Sequence, residues 1–244
     1  MEMYNEFAKV YDKLMEEVPY DKWFEYIEKI FMEYNIEPKM ILEMACGSGN
    51  MTQYFCKNRY KVTAFDLSEE MLLLAQEKIG RKPNLKLSCQ NMTEFKYREK
   101  FDVVLAVCDS LNYLIEDGDL EKTFKNVYDH LNESGLFIFD INSIYKFENI
   151  LGKNKFVTEE DECFLVWENE YEKPICQLIL NFFIEDEDGR YERYEEVHKE
   201  RAYTTDFVEA LLKKVGFSSV DIYEAFTLNP IQDENERINF VVKK

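Results

Sequence analysis

Basic side chains are scarce in this sequence of 244 residues. It contains 30 Lys and Arg against 49 Asp and Glu, which gives a formal net charge of −19 at pH 7. Proteins bind nucleic acid through clustered Lys and Arg that neutralise phosphates, and anionic membrane surfaces attract the same residues. The composition therefore argues against nucleic acid and against a membrane as partners.

Signals for export, membrane insertion and metal binding are also missing. Residues 1–6 include no apolar segment of the kind that signal peptides carry. No apolar run approaches the roughly 20 residues that span a bilayer. The six cysteines form no C-x-x-C pair and are accompanied by only two histidines, so no disulfide framework and no metal site is expected. We predict a cytoplasmic protein with reduced thiols.

A regular alternation of strands and helices is present instead. Hydrophobic residues make up 46% of the chain, which suits one sizeable domain with an elaboration. Short apolar segments predict strands at Met40–Met44, Lys61–Phe65, Leu85–Ser88, Phe101–Val107, Leu136–Ile141, Val220–Phe226 and Arg237–Val242. Their alternation with amphipathic helices predicts an α/β, doubly wound, Rossmann-like fold with a mostly parallel sheet.

The alternation breaks between residues 151 and 200, which hold 15 acidic and 6 basic residues. Three stretches there are rich in β-forming residues, and Asp188-Gly189 signals a hairpin before the last of them: Phe164–Tyr171, Ile175–Ile184 and Tyr191–Tyr203. We predict an antiparallel insertion at 151–200 within a main domain of residues 1–150 and 201–244, with 1–37 as a helical cap. The insertion would stand over the sheet edge where ligands bind, as a lid over an acceptor or as a homodimer interface.

A glycine-containing loop follows the first predicted strand. Gly47-Ser48-Gly49 leads into a helix, and its glycines allow positive φ and close approach of a ligand to the backbone. Asp66 ends the second strand, where a carboxylate can accept hydrogen bonds from both hydroxyls of a ribose. The dinucleotide fingerprint needs a third glycine where this chain has Thr52. The pattern predicts a nucleoside-containing cofactor without a pyrophosphate.

The segment Ile41–Gly49 resembles the first motif of the class I S-adenosylmethionine-dependent methyltransferases. The resemblance extends from about residue 40 to residue 242. Asp66-Leu67 with Met71 is similar to the second motif, Gln90-Asn91-Met92 to the third and Cys108-Asp109-Ser110 to part of the fourth. The resemblance implies S-adenosylmethionine as cofactor, a reversed last strand, and methyl transfer that depends mainly on positioning for in-line displacement.

The resemblance also implies a set of residues around the cofactor. Glu43 would order the loop, Asp66 would hold the ribose, and Asn91 would accept a hydrogen bond at the adenine edge although many members have Asp there. Leu67 and Met71 would flank the adenine. The full predicted set is Tyr4, Tyr11, Glu43, Ala45, Cys46, Gly47, Ser48, Gly49, Asp66, Leu67, Met71, Asn91, Met92, Cys108 and Asp109.

The N-terminal segment Tyr4–Asp12 resembles the lead of many small-molecule members of the family, in which this helix closes over the cofactor. That likeness places Tyr4 and Tyr11 near the cofactor or the acceptor, with Tyr11 as a catalytic candidate. Alternatively, this region is an amphipathic helix that is docked through Phe7, Val10 and Leu14.

The sequence favours a small-molecule acceptor that is methylated on nitrogen or oxygen. The stretch Cys108–Leu111 lacks the [DN]-P-P-[YF] motif of DNA adenine enzymes, and no cysteine follows a proline as in cytosine-C5 enzymes. His198 alternates with Glu196 and Glu200 on one strand face, where it is a candidate general base for a hydroxyl acceptor. The acidic insertion favours a cationic acceptor if its carboxylates face the cleft, and otherwise only keeps the protein soluble.

Two other functions remain open from the sequence. One is an oxidoreductase with a nicotinamide cofactor, which Thr52 opposes. The other is a non-catalytic S-adenosylmethionine-binding protein on the same fold, because methyl transfer often needs no diagnostic catalytic side chain and a fold alone does not establish activity.

Overall fold

The structure is a computed structural model that describes residues 18–160, 163–186 and 188–244. The predicted N-terminal contacts of Tyr4 and Tyr11 lie outside the described residues. The α-helices in the described part of the chain are α1 (Tyr20–Glu33), α2 (Thr52–Lys57), α3 (Glu69–Ile79), α4 (Asp119–His130) and α5 (Thr205–Val215). The strands there are β1 (Met40–Met44), β2 (Lys61–Asp66), β3 (Leu85–Cys89), β4 (Phe101–Ala106), β5 (Leu131–Asn142), β6 (Phe156–Glu160), β7 (Cys163–Glu172), β8 (Ile175–Glu185), β9 (Tyr191–Arg201), β10 (Ser219–Glu224) and β11 (Arg237–Lys243).

Seven of the described strands form the main sheet, in the order β10-β11-β5-β4-β1-β2-β3. Strands β1 to β5 pair in parallel, whereas β11 runs antiparallel to both β5 and β10. The predicted α/β fold with a reversed last strand is therefore confirmed. Strand β1 lies between β2 and β4, so the direction of winding changes beside it and a crevice opens at the carboxyl ends of these strands.

Helices cover both faces of the main sheet. Successive residues of β1 point to opposite faces, and so Ile41 packs in the core under α1 and α2, while Leu42 packs in the core under α4 and α5. Burial on both faces explains why the central strands read as nearly continuous apolar runs. No helix of the described residues is long and apolar enough to cross a membrane.

A second sheet of four antiparallel strands, in the order β6-β7-β8-β9, is built from residues 156–201. The predicted insertion therefore contains one more strand than its sequence pattern shows, because β6 pairs with β7 from Phe156 to Glu160. The second sheet contacts the main domain through a buried cluster that includes Phe147, Cys176 and Leu178. The domain boundaries, and the role of the insertion as a lid, stay predictions.

Candidate functional site

A cavity of about 450 Å³ opens at the carboxyl ends of β1, β2 and β4. Most of the residues that the sequence singled out for a cofactor line it. These are Glu43, Ala45, Cys46, Gly47, Ser48, Asp66, Leu67, Met71, Asn91, Met92 and Cys108. His198 also lines the cavity, so the second sheet contributes a side chain to the same space. The fold thus brings the predicted cofactor residues and His198 into one cavity. The role of each residue in binding stays a prediction.

The two glycines of the loop after β1 occupy different surroundings. Gly47 has φ +53°, and a Cβ there would meet no atom within 4 Å. Gly49 has φ +78°, and a Cβ there would lie 2.8 Å from Ile79 Cδ1 and 3.0 Å from Ala75 Cβ. Gly49 is not among the residues that line the cavity. The absence of a side chain at Gly49 lets the loop pack against α3, and its predicted contact with the cofactor stays a prediction.

The Asp66 carboxylate connects the end of β2 to this loop. It accepts hydrogen bonds from the backbone N–H of Gly47 at 2.8 Å and of Ser68 at 2.9 Å. An ionised carboxylate has about four acceptor positions, so further donors can be accommodated. These bonds hold Asp66 at the cavity wall, and each carboxylate oxygen keeps capacity to accept from a further donor.

Glu43 lies at the end of β1 and is 1% exposed. Its Oε2 atom has no hydrogen-bond partner among the described residues. Burial, reinforced by the neighbouring Asp66 carboxylate, raises the pKa of Glu43 to about 8. A buried, unpaired carboxyl oxygen beside the loop is suited to a ligand that brings N–H donors or positive charge.

The opposite wall follows β4. Cys108 lines the cavity, and burial raises the pKa of its thiol, so the cysteine is protonated and suited to be a small wall residue rather than a nucleophile. Asp109 was expected beside the cofactor but does not line the cavity. Its carboxylate is turned away, because it accepts hydrogen bonds from Arg237 at 2.7 Å and from Asn142 at 3.1 Å.

His198 lies at the end of the cavity nearest the second sheet. Its Nε2 is 2.8 Å from Glu196 Oε2, and its ring meets the edge of Tyr113 with 5.9 Å between ring centroids. The imidazole is thereby held by a carboxylate on one side and an aromatic ring on the other.

The cavity wall is acidic. Its described residues include Asp66, Glu116 and Asp119, and also Glu43, which burial keeps protonated near neutral pH, but no Lys or Arg. A bound pyrophosphate would find no basic partner on this wall, whereas a cationic ligand would be favoured. No group of three or more potential metal ligands was found among the described residues.

Sequence reasoning missed several lining residues on the side nearest the second sheet. They belong chiefly to a short 3₁₀ turn at Ser110–Tyr113 and to the segment after it, and include Ser110, Tyr113, Leu114, Ile115, Glu116 and Asp119. Their position directly after a buried strand was the available signal, because carboxyl ends of parallel strands face the ligand crevice. Ser110 ends the segment that resembles the fourth motif but was not assigned to the site, and no motif marked the residues after it.

The comparisons with known proteins agree with this geometry. A family model described as a methyltransferase domain matches residues 41–135. A protein of Geobacillus sp. (strain WCH70) that is named as a methyltransferase is 37% identical, over 99% of both chains. The structure of an S-adenosylmethionine-dependent methyltransferase from Clostridium acetobutylicum ATCC 824 superposes with a TM-score of 0.88 at 39% identity, covering 99% of this chain and 98% of the other.

A more distant structure shares the fold. An amino pentose methyltransferase from Micromonospora echinaspora, described as bound to S-adenosylmethionine, superposes with a TM-score of 0.78 at 15% identity and covers 96% of this chain and 97% of its own. The fold and the cavity define a nucleoside-binding α/β enzyme. The chain belongs to the class I S-adenosylmethionine-dependent methyltransferases, and this prediction from the sequence is confirmed.

The residues of the cavity fit S-adenosylmethionine. The unpaired Glu43 Oε2 can accept from an ammonium group, Asp66 retains acceptor capacity for a ribose, and the described wall offers no basic residue for a pyrophosphate. S-adenosylmethionine is the cofactor of this enzyme, and the nicotinamide alternative is thereby wrong.

Proposed function

We propose that this enzyme transfers the methyl group of S-adenosylmethionine to a nitrogen or oxygen atom of a small molecule that enters from the side of the second sheet. The observation that carries this proposal is the continuity of one cavity from Asp66 to His198. Its volume of about 450 Å³ suits small ligands rather than a polymer. The acidic composition and the fold shared with an amino pentose methyltransferase support it further. We also place the enzyme in the cytoplasm.

In this proposal the chain acts mainly by positioning its two ligands. Asp66 holds the ribose, Asn91 and Met92 meet the adenine edge, and Glu43 and Cys108 adjoin the methionine part. Holding two reactants in line contributes a large share of the rate, on the order of 7–11 kcal/mol in favourable cases. S-Adenosylmethionine supplies the electrophilic methyl group, and the carbon–sulfur bond breaks as the acceptor atom bonds to that carbon.

His198 is the proposed general base when the acceptor is a hydroxyl. The imidazole takes the hydroxyl proton as oxygen gains the methyl group, and Glu196 stabilises the imidazolium that results. A neutral amine acceptor attacks through its free electron pair, and His198 then only helps to bind it. The position of His198 on β9 supports the second sheet as part of the acceptor site.

Isothermal titration with S-adenosylhomocysteine, the demethylated product, tests the cofactor half of the proposal. We expect Asp66→Ala to weaken binding by at least about tenfold, because about 1.4 kcal/mol corresponds to a tenfold change and hydrogen bonds to charged groups contribute more than that. Asp188→Ala, at an exposed position of the β8–β9 hairpin, is the matched control and should bind as the wild type does. Wild-type affinity in Asp66→Ala would contradict the assigned role.

Labelled methyl transfer tests the acceptor half. Incubating the enzyme with S-[methyl-³H]adenosylmethionine and metabolite extracts should label a small molecule, which identifies the acceptor. With an oxygen acceptor, we expect His198→Gln to lower kcat by about 10²–10⁴-fold, the usual contribution of a general base. With a nitrogen acceptor, the same change should act mainly on KM. Label found only in nucleic acid or protein would refute a small-molecule acceptor.

A further inference from the structure

The turn that follows β4 has a costly backbone conformation. Cys108 and Asp109 are consecutive residues with side chains, and both adopt left-handed φ values, +59° and +52°. Asn and Asp visit this region at some cost, but a cysteine adopts it only when the surrounding structure enforces it, so the strain lies chiefly at Cys108. Cys108 and Ser110, on either side of Asp109, line the cavity. The shape of this wall therefore depends on whatever holds the turn.

Arg237 of β11 holds the turn from behind. One guanidinium nitrogen donates to Asp109 Oδ1 at 2.7 Å, and another forms an ion pair with Asp140 of β5. Asp140 in turn accepts a hydrogen bond from the backbone N–H of Asp109 at 2.9 Å. A planar guanidinium with a fixed fork of donors suits the bridging of two carboxylates. Arg237 thus links the ends of β4 and β5 at the place where the backbone is strained.

The ion pairs are mostly shielded from water, since the side chains of Arg237 and Asp109 are 22% and 20% exposed. Asp140 is fully buried, and the Trp23 ring of α1 lies 5.9 Å from the Arg237 guanidinium. Without the arginine, Asp109 and Asp140 would share this site with Lys146 as the remaining cation that acts on Asp109. The Lys146 ammonium donates to Asn142 Oδ1 instead of bridging the two carboxylates. Breaking such a pair from one side costs much more than the pair itself contributes, because it leaves buried charge uncompensated. The turn is then expected to relax.

The same network reaches the second sheet. The Asn142 side-chain amide donates to Asp109 Oδ2 at 3.1 Å and to Glu200 Oε2 of β9 at 2.9 Å. Asn142 and Glu200 are each 2% exposed. Glu200 lies two positions beyond His198, so the cluster that holds the turn also fixes the strand that forms the other side of the cavity.

We propose that Arg237 is a positioning residue for methyl transfer, which holds the strained Cys108–Asp109 turn so that the wall beside the amino-acid part of the cofactor is formed before binding. Arg237 does not line the cavity and acts through Asp109 and Asp140. The inference rests on the proposed function, because it is that function which places the amino-acid part of the cofactor against this wall.

Two ligands separate this role from general stability. S-adenosylhomocysteine contains the amino-acid part, whereas 5′-methylthioadenosine keeps the nucleoside and the sulfur but lacks it. Both are titrated calorimetrically, at a temperature well below the melting point of every variant. For Arg237→Met we expect the Kd of S-adenosylhomocysteine to rise at least about tenfold, or about 1.4 kcal/mol, and that of methylthioadenosine to stay within about twofold.

Arg237→Lys should recover part of the lost affinity, because it restores the charge without the two-pronged geometry. Arg193→Met, at an exposed position of β9, is the matched control and should bind both ligands as the wild type does. If Arg237→Met does not fold, Asp109→Asn, which weakens the same bridge, should show the same split between the two ligands.

Equal losses for both ligands, or wild-type affinity for S-adenosylhomocysteine in a folded variant, would overturn the positioning role. Failure of the wild-type protein itself to bind S-adenosylhomocysteine would instead refute the proposed function. The two failures are therefore distinguishable in one set of titrations.

Discussion

Glu43 shows how one buried side chain makes stability depend on pH. Its pKa is about 8 in the folded protein, because of burial and then of Asp66, and its ordinary value is 4.5. Between these values the unfolded chain is ionised at this position while the folded protein keeps the proton. Folding then requires proton uptake, so this contribution to stability is full below about pH 4.5 and is lost as the pH rises to about 8.

We therefore expect Glu43→Gln to flatten the decline of unfolding free energy between about pH 5 and pH 8. Urea titrations at several pH values measure the unfolding free energy of the variant and of the wild type. Part of the decline should remain, because burial also raises the pKa of Glu200 to about 8. Glu234→Gln, at an exposed position of the β10–β11 loop, should follow the wild-type curve. If the unfolding free energy of Glu43→Gln fell with pH as steeply as that of the wild type, Glu43 would be ionised in the folded protein.

Some residues of the site could be predicted from the sequence and others could not. Asp66 could be predicted because its position depends only on a strand end and a nearby glycine loop. The role of Arg237 could not, since it rests on a bridge to Asp109 across 128 positions that exists only once β11 pairs with β5. Tyr113 was missed for a similar reason, because the 3₁₀ turn that presents it carries no periodic signal.

At the level of elements, a helix start that the sequence left open is decided by the structure. Thr204 and Thr205 both precede the apolar stripe of α5, and the sequence pattern alone predicts either of them as its cap. The Thr204 hydroxyl accepts a hydrogen bond from the Phe207 N–H at 3.2 Å, and Thr205 is the first helical residue. The ambiguity was unavoidable, because adjacent threonines fit the same capping pattern.

Thr204→Ala should lower the unfolding free energy by about 1 kcal/mol, the usual cost of removing an N-cap side chain. Thr205→Ala, at the next position, is the control. It should raise the unfolding free energy by a few tenths of about 1 kcal/mol, since alanine is a better helix former than threonine. Urea unfolding of both variants at one pH measures the difference. A larger loss for Thr205→Ala would reassign the cap.

Strand bounds were predicted closely for β4 but not for β5, which was predicted at Leu136–Ile141 and begins at Leu131. The predicted segment Phe101–Val107 corresponds to β4 at Phe101–Ala106. Strand β6 was missed, because only its first two residues, Phe156 and Val157, are apolar and the rest are polar or acidic. Its existence follows from pairing with β7, a tertiary interaction that a local pattern does not contain.

For the whole molecule, the net charge of −19 and the acidic cavity wall should favour a cation. S-Adenosylmethionine carries one more positive charge than S-adenosylhomocysteine, so its binding should be the more sensitive to salt. We expect its Kd to rise a few-fold more than that of the product between low ionic strength and about 0.5 M NaCl. Titration calorimetry at both salt concentrations measures the ratio, and an equal salt dependence for the two ligands would contradict an electrostatic role.

The second sheet is hydrogen-bonded within itself and shares no strand pairing with the main sheet in the described part of the chain. This separation lets the two halves of the site change independently during evolution. If β9 forms the acceptor end as proposed, substitutions along it can reshape that end without disturbing the loop after β1 or Asp66. Asn142 and Glu200 are the exception, because their hydrogen bonds connect β9 to the turn at Asp109, and substitutions there would disturb both sides of the cavity. New acceptors are therefore expected to arise through changes on β9 that leave this junction intact.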